Sequence, residues 1–240
     1  MLSLWRYLPD MLPFGDSLDL PADLVERVNA STGAEPWFSH AFAARAQRRH
    51  VCLACRWLVR ALPEGATVFE PGCGAGTNLI WLAREGLVAK GSDLVPEALD
   101  MCRRMGLYSG TPLEVWQDNS IEPRHLPDPV DGILSVNWLY HVPGASMDGF
   151  LKTWRPALKP HGVIACDAPD ISYNRVRNNQ YHSSDRHLPE EQRRPSEYRF
   201  RLSRADMERI AADNGFRVER YALPLRGCPR RGVYLLRRED

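Results

Sequence analysis

The sequence predicts an α/β fold in which a doubly wound, mostly parallel sheet has helices on both faces. Short apolar segments alternate along the chain with segments of helical periodicity, and right-handed crossovers turn such an alternation into this kind of sheet. A glycine-rich turn follows the first apolar segment, and polar residues end the later ones. Because the chain has 240 residues and no internal repeat, we expect one domain preceded by an N-terminal extension.

The first predicted strand begins at residue 68 and leads through the glycine-rich turn into a helix that begins near Asn78. The glycines stand at alternate positions, Gly72, Gly74 and Gly76. A dinucleotide-binding turn would need a glycine in place of Thr77, whereas the carboxylate of Glu70 favours a ligand with an ammonium group and repels a pyrophosphate. Glycine also lets a ligand lie against the main chain. The turn therefore favours an amino-acid nucleoside as the cofactor.

Polar residues at the ends of the next predicted strands extend the cofactor site. These strands are expected at residues 89–94, 113–117, 130–136 and 162–166. Ligands of open α/β sheets bind at the carboxyl edge, where Asp93 can hold ribose hydroxyls or cap the following helix. Asp118 and Asn119 can contact an adenine edge. Leu94, beside Asp93, and Asn137, after the fourth strand, complete the candidate cofactor-binding residues.

Segments of helical periodicity separate these strands and also precede them. Helices are predicted at residues 40–62, 78–85, 96–105 and 146–158. Cys52 and Cys55 fall on the first of these helices, and since no second cysteine pair completes a tetrahedral set of ligands, we interpret them as buried small side chains. The six cysteines form no disulfide framework, and we predict no structural metal site.

Together these motifs resemble the class I S-adenosylmethionine-dependent methyltransferases. The matching segments are residues 70–76, 91–93, 117–118, 130–142 and 201–216, within a resemblance that covers roughly residues 50–240. The resemblance implies S-adenosylmethionine as cofactor and a seven-stranded sheet in the order 3-2-1-4-5-7-6, closed by an antiparallel hairpin near residues 216–223 and 232–237. It also implies a cofactor-binding methyltransferase domain at residues 65–240. The helical extension at residues 1–64 is then expected to be a lid or a wall of the acceptor pocket, or else a packing or dimer contact.

Methyl transfer of this kind is an in-line displacement at the sulfonium methyl, and a general base is needed only when the nucleophile must lose a proton. His141, after the fourth strand, and Asp167, at the end of the fifth, are the candidate catalytic residues. The ordinary pKa of histidine favours His141, although a histidine at that position can also simply bond the backbone. The candidate acceptor-pocket residues are Trp37, Tyr140, Asp170, Arg175, Tyr181 and His182.

The segment at residues 168–202 is longer than a strand-to-helix link requires and is rich in arginine. Because it leaves the carboxyl edge of the sheet beside the cofactor, we interpret it as an inserted lid over the acceptor. Its arginines, Arg175 among them, can form forked hydrogen bonds with a carboxylate or phosphate, which predicts an anionic acceptor. A solvated surface loop with local acidic partners is the alternative.

The acceptor is expected to be a small molecule that is methylated on oxygen or nitrogen. In the resembling family, enzymes that methylate exocyclic or amide nitrogens carry an Asn/Asp-Pro-Pro-aromatic motif after the fourth strand, where this chain reads NWLY, and a Pro-Cys nucleophile is missing too. An RNA methyltransferase is the first alternative, because arginines cluster near the C-terminus, but no RNA-binding module is recognisable. A cofactor-binding regulatory partner without catalysis is the second alternative.

Charge and hydropathy give no sign of a membrane partner, and nucleic acid is not the expected partner either. The formal net charge is +1, no apolar run has the length needed to span a bilayer, and the first residues lack a cleavable signal pattern. We therefore expect a cytoplasmic protein. The sequence does not predict an oligomeric state.

Overall fold

The computed structural model describes residues 18–172, 181–182, 185, 187–224 and 230–240, and these contain a seven-stranded sheet. The strands are β1 (Thr67–Pro71), β2 (Val88–Asp93), β3 (Glu114–Gln117), β4 (Val130–Ser135), β5 (Leu158–Pro169), β6 (Phe216–Ala222) and β7 (Arg231–Arg238). Their order across the sheet is β3-β2-β1-β4-β5-β7-β6. Neighbours among β1 to β5 pair in parallel, whereas β7 is antiparallel to both β5 and β6. The predicted fold class and strand order are confirmed.

Helices cover both faces of this sheet. They are α1 (Ala22–Thr32), α2 (Pro36–Ala43), α3 (Arg49–Ala61), α4 (Thr77–Arg84), α5 (Pro96–Tyr108), α6 (Met147–Trp154) and α7 (Arg204–Asp213). In β1, Val68 packs with buried side chains of α3, α4 and α5, whereas its neighbour Phe69 packs with side chains of α6 and α7. Successive side chains of a strand point to opposite faces, so the two hydrophobic cores lie on opposite sides of the sheet.

Three elements differ most from their predicted bounds. The helix predicted at residues 40–62 is interrupted between α2 and α3 by a short 3₁₀ turn at Arg45–Gln47, whose first side chain is buried. The helix α6 ends at Trp154, because Pro156 follows it and has no N–H for a further helical hydrogen bond. Strand β5 extends beyond residues 162–166 in both directions, and β7 pairs with most of its length.

The helix α3 packs against β5 and β7, and its buried side chains include Cys52 and Cys55, as predicted. The strongly apolar face that carries these cysteines also carries Leu53, Trp57 and Leu58. The described helices include none with both the length and the apolar composition that crossing a bilayer requires.

The described part of the segment at residues 168–202 returns to the sheet. A backbone bridge joins Asp170 to Leu202, and the rings of Tyr198 and Phe200 lie against Tyr140. These contacts fix the C-terminal part of the segment beside the end of β4. Its role as a lid stays a prediction.

Candidate active site

A cavity of about 240 Å³ opens at the carboxyl edge of the sheet, beside the ends of β1, β2 and β4. Most of the predicted cofactor-binding residues line it: Glu70, Gly72, Gly74, Asn78, Asp93, Leu94, Asn119 and Asn137. The segment from α2 to the start of α3 supplies a further wall with Trp37, Phe38, Arg45, Arg48 and Val51. The parallel strands bring their carboxyl ends together here, which is where ligands of such sheets bind.

Two glycines of the turn have different tasks. Gly72 and Gly76 both have positive φ, 69° and 78°. A Cβ atom on Gly72 would lie 2.9 Å from the ring of Trp138, so this glycine keeps the turn close to the cavity wall. Gly76 does not line the cavity. A Cβ atom there would clash with Sγ of Cys102, so a residue without a Cβ lets α4 begin close to α5.

Asp93 serves both the turn and the next helix. One carboxylate oxygen, Oδ2, accepts a hydrogen bond from the N–H of Gly74 (2.8 Å), and the other, Oδ1, accepts from the N–H of Val95 (3.0 Å) at the start of α5. Burial raises the pKa of Asp93, and the backbone N–H groups limit that rise. The N-cap residue of α5 is Val95, so Asp93 stabilises the bend that leads into the helix and is not its cap. The side chain also lines the cavity, where it is placed for a ribose.

Asp118 lies behind the cavity wall and shapes the loop that follows β3. Its carboxylate accepts hydrogen bonds from the backbone N–H groups of Asn119 (2.8 Å), Arg124 (3.0 and 3.1 Å) and His125 (3.1 Å). The side chain is not among those that line the cavity, whereas its neighbour Asn119 is. Asp118 therefore fixes the loop that places Asn119 at the cavity wall.

A buried arginine that the sequence did not single out completes the end of the cavity near the glycine turn. Arg45 is 2% exposed, donates from Nη1 to Oδ1 of Asn78 (2.9 Å) and lies 5.1 Å from the ring centre of Trp81. Asn78 in turn donates from Nδ2 to Oε1 of Glu70 (2.7 Å). Among the described residues, Nε and Nη2 of Arg45 and Oε2 of Glu70 are buried without a hydrogen-bond partner.

Burial raises the pKa of Glu70 to about 8, a rise that the hydrogen bond from Asn78 and the charge of Arg45 limit. At neutral pH and without a ligand, this carboxyl group therefore holds a proton much of the time. A cation placed beside it would favour the ionised form.

We expect Glu70 to make the stability of the ligand-free protein fall as pH rises. Its pKa is about 8 in the folded state against an ordinary value of 4.5, so the folded state keeps a proton that the unfolded chain has released. The stabilisation is complete below the ordinary pKa and is lost as the pH rises through the folded pKa, a change on the order of a few kcal/mol. Calorimetric unfolding of the wild-type protein and of Glu70→Gln between pH 5 and pH 9 measures this pH dependence of the free energy of unfolding.

A matched variant isolates this effect. Burial also raises the pKa of Asp167, to about 7, so wild type alone would report both groups. Asp167 is present in wild type and in Glu70→Gln, and its contribution cancels in their difference. The exposed Glu64, replaced by Gln, should follow the wild-type curve. A wild-type minus Glu70→Gln difference that stays constant with pH would contradict the assignment.

Asn137 joins the cavity to a buried polar cluster. Its N–H donates to Oδ1 of Asp167 (2.8 Å), and its side-chain oxygen accepts from Nη1 of Arg231 (2.6 Å). The hydroxyl of Tyr140 donates to Oδ2 of Asp167 (3.1 Å), and the Arg231 guanidinium lies 4.7 Å from the Tyr140 ring centre. Nε2 of His50 is 3.7 Å from the same carboxylate oxygen. Asp167 thus holds Asn137 from behind and does not itself line the cavity.

His141 also lies outside the set of side chains that line the cavity. Its Nδ1 is 3.3 Å from the carbonyl oxygen of Glu197, and its ring centre is 5.2 Å from that of Tyr198. Burial lowers the pKa of His141. The backbone contact is the alternative that the sequence left open, and the catalytic roles of His141 and Asp167 stay predictions.

The predicted acceptor-pocket residues are placed unequally. Trp37 lines the cavity and is 59% exposed, whereas Tyr140 is fully buried in the polar cluster. The carboxylate of Asp170 accepts the N–H of Ser172 (2.8 Å) and is not among the cavity-lining groups.

The other three candidates belong to the segment at residues 168–202. Tyr181 donates its hydroxyl to Oε1 of Glu190 (2.7 Å), and Nε2 of His182 lies 2.9 Å from Oε2 of Glu197. Both contacts stay within that segment. Arg175 lies outside the described residues. The acceptor roles of all three stay predictions.

Comparison with known proteins gives a family match and several similar folds. A family model for the methyltransferase domain matches residues 44–221. Ubiquinone biosynthesis O-methyltransferase of Xylella fastidiosa is 38% identical over 103 residues, which cover 42% of this chain and 41% of that protein. The protein of the same name from Paracidovorax citrulli is 27% identical over 111 residues, which cover 45% of this chain and 46% of that protein. The matched region thus spans less than half of the length of either relative.

Solved structures extend the likeness over most of the chain. Magnesium protoporphyrin IX methyltransferase from Synechocystis PCC 6803 with bound SAH has a TM-score of 0.63 at 15% identity, covering 90% of this chain and 93% of that one. An S-adenosylmethionine-dependent methyltransferase from Mesorhizobium loti has a TM-score of 0.56 at 19% identity, and the match covers 76% of this chain and 96% of that one. At these identities the likeness is one of fold.

Proposed function

Because this chain belongs to the methyltransferase-domain family and uses S-adenosylmethionine, we propose that it transfers the methyl group to an oxygen of a small molecule. The names of the relatives, which are O-methyltransferases, support oxygen over nitrogen. Since less than half of their length is matched, only the class of acceptor is carried over. An anionic acceptor and a cytoplasmic location are part of the proposal.

The proposed use of S-adenosylmethionine rests on one observation. The unpartnered groups of Arg45 and Glu70 are buried at the same end of the cavity, beside the glycine turn. Leaving buried polar groups unpaired costs free energy, and an amino-acid zwitterion satisfies both, its carboxylate binding Arg45 and its ammonium binding Glu70. Asp93 would then hold the ribose hydroxyls, and Leu94 and Asn119 would contact the adenine. The residues present therefore fit S-adenosylmethionine.

The bound cofactor supplies an electrophilic methyl group, and the chain supplies alignment, exclusion of water and a group that removes the acceptor proton. Asn137 is held rigidly by Asp167 and Arg231 at the cavity wall. Nε2 of His50 is buried without a hydrogen-bond partner among the described residues. Burial and the charge of Arg231 lower the pKa of His50 to about 3, so its ring is neutral but a weak base, and a bound anionic acceptor would raise that pKa. His50, like His141, is not among the cavity-lining side chains, and we add it to His141 as a second candidate base.

The test offers S-adenosylmethionine with a labelled methyl group to the protein together with either a small-molecule extract or total RNA. We expect label in the small-molecule fraction, in an ether or ester. With the acceptor isolated from that fraction, His50→Ala should lower turnover about tenfold, less than the roughly 100-fold or more usual for a lost general base, because the low pKa of His50 makes its ring a weak base. His141→Ala should leave turnover nearly unchanged. Equal losses in both variants would remove His50 as the preferred base.

The same assay decides between the proposal and its alternatives. Label in RNA alone would favour the RNA methyltransferase, and retained cofactor binding without transfer to either fraction would favour a regulatory partner. Three of the C-terminal arginines favour the small-molecule acceptor, because Arg231 is bound in the polar cluster and Arg237 and Arg238 pair with Glu219 and Asp240. Arg226 lies outside the described residues.

A further inference from the structure

Among the residues that the structure describes, the charges around the cavity leave one cation, that of Arg48, without a counterion. The charged residues that line the cavity are Arg45, Arg48, Glu70 and Asp93. In the proposed cofactor complex, Arg45 takes the carboxylate, Glu70 takes the ammonium, and Asp93 already accepts two backbone N–H groups beside the ribose. Arg48 is left over, and the sulfonium brings a second positive charge into the same space.

Arg48 stands between the 3₁₀ turn and α3, half-buried, with its side chain on the cavity. The described residues give its guanidinium no hydrogen bond and no ion pair, and the largest charge effect on it comes from Arg45, another cation, with a smaller opposing effect from Cys52. Burial and this neighbour lower the pKa of Arg48. A charge held partly out of water without a partner is costly, so the position favours an anion from outside the chain.

The first turn of α3 adds to this preference. Arg48 is its N-cap residue and provides no side-chain cap, so within the described part of the chain the N–H groups of that turn have no capping acceptor. Val51, within the turn, lines the cavity. Because helix N-termini carry free N–H groups and partial positive charge, an anion near Arg48 would also be stabilised by the helix.

The nearby acidic group is not available to Arg48. Asp167 accepts hydrogen bonds from the N–H of Asn137 (2.8 Å) and the hydroxyl of Tyr140 (3.1 Å), and Arg231 lies 3.4 Å from it. Burial, and after it the charge of Arg48, lower the pKa of Arg231, so the neighbour of Arg48 on this side is another cation. The neutral ring of His50 adds no negative charge.

We propose that Arg48 and the N-terminus of α3 bind a carboxylate group of the acceptor, next to the end of the cavity at which Asn137 lies. The proposal rests on the proposed function, because it concerns the acceptor of that reaction. A guanidinium fork matches a planar carboxylate, and one cation matches one negative charge. The acceptor anion would then be attracted by Arg48 and by the sulfonium together.

Calorimetric titration tests this without turnover. The protein saturated with S-adenosylhomocysteine is titrated with benzoate, phenylacetate and 4-hydroxybenzoate and with the primary amide of each. We expect the carboxylates to bind about 10- to 30-fold more tightly than their amides, as a charge-assisted pair implies, and Arg48→Gln to remove that preference. Arg49→Gln, one residue further along and not among the cavity-lining side chains, should retain it.

The affinity for S-adenosylhomocysteine is measured on the same variants. It should be unchanged in Arg48→Gln; a large loss there would assign Arg48 to the cofactor and overturn the proposal. The absence of any carboxylate preference in the wild-type protein, or a preference that survives Arg48→Gln, would overturn it as well. Failure of methyl transfer alongside an Arg48-dependent carboxylate preference would count against the proposed function and leave the binding site standing.

Discussion

Replacing Asp93 by asparagine is expected to weaken S-adenosylhomocysteine binding about 100-fold, through the loss of charged hydrogen bonds to the ribose and a disturbed turn. Both carboxylate oxygens of Asp93 accept backbone N–H groups, from Gly74 at 2.8 Å and from Val95 at 3.0 Å. An asparagine has one acceptor oxygen, so its NH₂ group must face one of these donors. The variant therefore loses the negative charge at the ribose position and one connection within the cradle. Calorimetric titration measures the affinity.

Asp131→Asn is the matched control for Asp93→Asn. Asp131 stands in β4, and its carboxylate also accepts a backbone N–H of a neighbouring strand, that of Thr67 (2.9 Å). It is not among the residues that line the cavity. We expect this variant to bind S-adenosylhomocysteine like the wild type. If Asp93→Asn bound as tightly as Asp131→Asn, the ribose assignment would be wrong.

The cofactor cradle could be predicted from the sequence because its signals are local. The glycine turn and Glu70 lie within a few positions of one another, and Asp93 ends the adjacent strand, so chain order alone brings them to one edge. Asp118 shows the limit of this reasoning: its position after β3 suggested adenine, whereas the loop around residues 119–125 takes up its oxygens. Whether a strand-end carboxylate faces a ligand or its own loop depends on the loop path.

The other half of the site comes from distant parts of the chain. Arg45 meets Asn78 across 33 positions, and Arg231 meets Asn137 across 94. No spacing rule connects such pairs, because the first depends on how α3 packs on the sheet and the second on the antiparallel return of β7. The basic residues at positions 45, 48, 49 and 50, directly before an apolar stretch, are a local signal that could have drawn attention to this wall.

Replacing Arg45 by glutamine should weaken S-adenosylhomocysteine binding about 100-fold as well, through the loss of charged hydrogen bonds to the amino-acid carboxylate. The guanidinium has two buried nitrogens, Nε and Nη2, without partners, and glutamine cannot supply their charge or their fork. The variant would also lose the hydrogen bond to Asn78, because a glutamine amide ends nearer the main chain than the Nη1 atom that donates it. Calorimetric titration again measures the loss.

A second ligand separates lost recognition from a damaged fold. 5′-Methylthioadenosine shares the nucleoside of the cofactor but has no amino-acid end, so it cannot contact Arg45 through a carboxylate. We expect Arg45→Gln to bind it as the wild type does, whereas Asp93→Asn should lose affinity for both ligands. Arg103→Gln, which removes a bond to the carbonyl of Val115 (3.1 Å) away from the cavity, should change neither. If Arg45→Gln weakened both ligands equally, Arg45 would be acting through Asn78 and the packing of Trp81, and the carboxylate would have to bind elsewhere in the cavity.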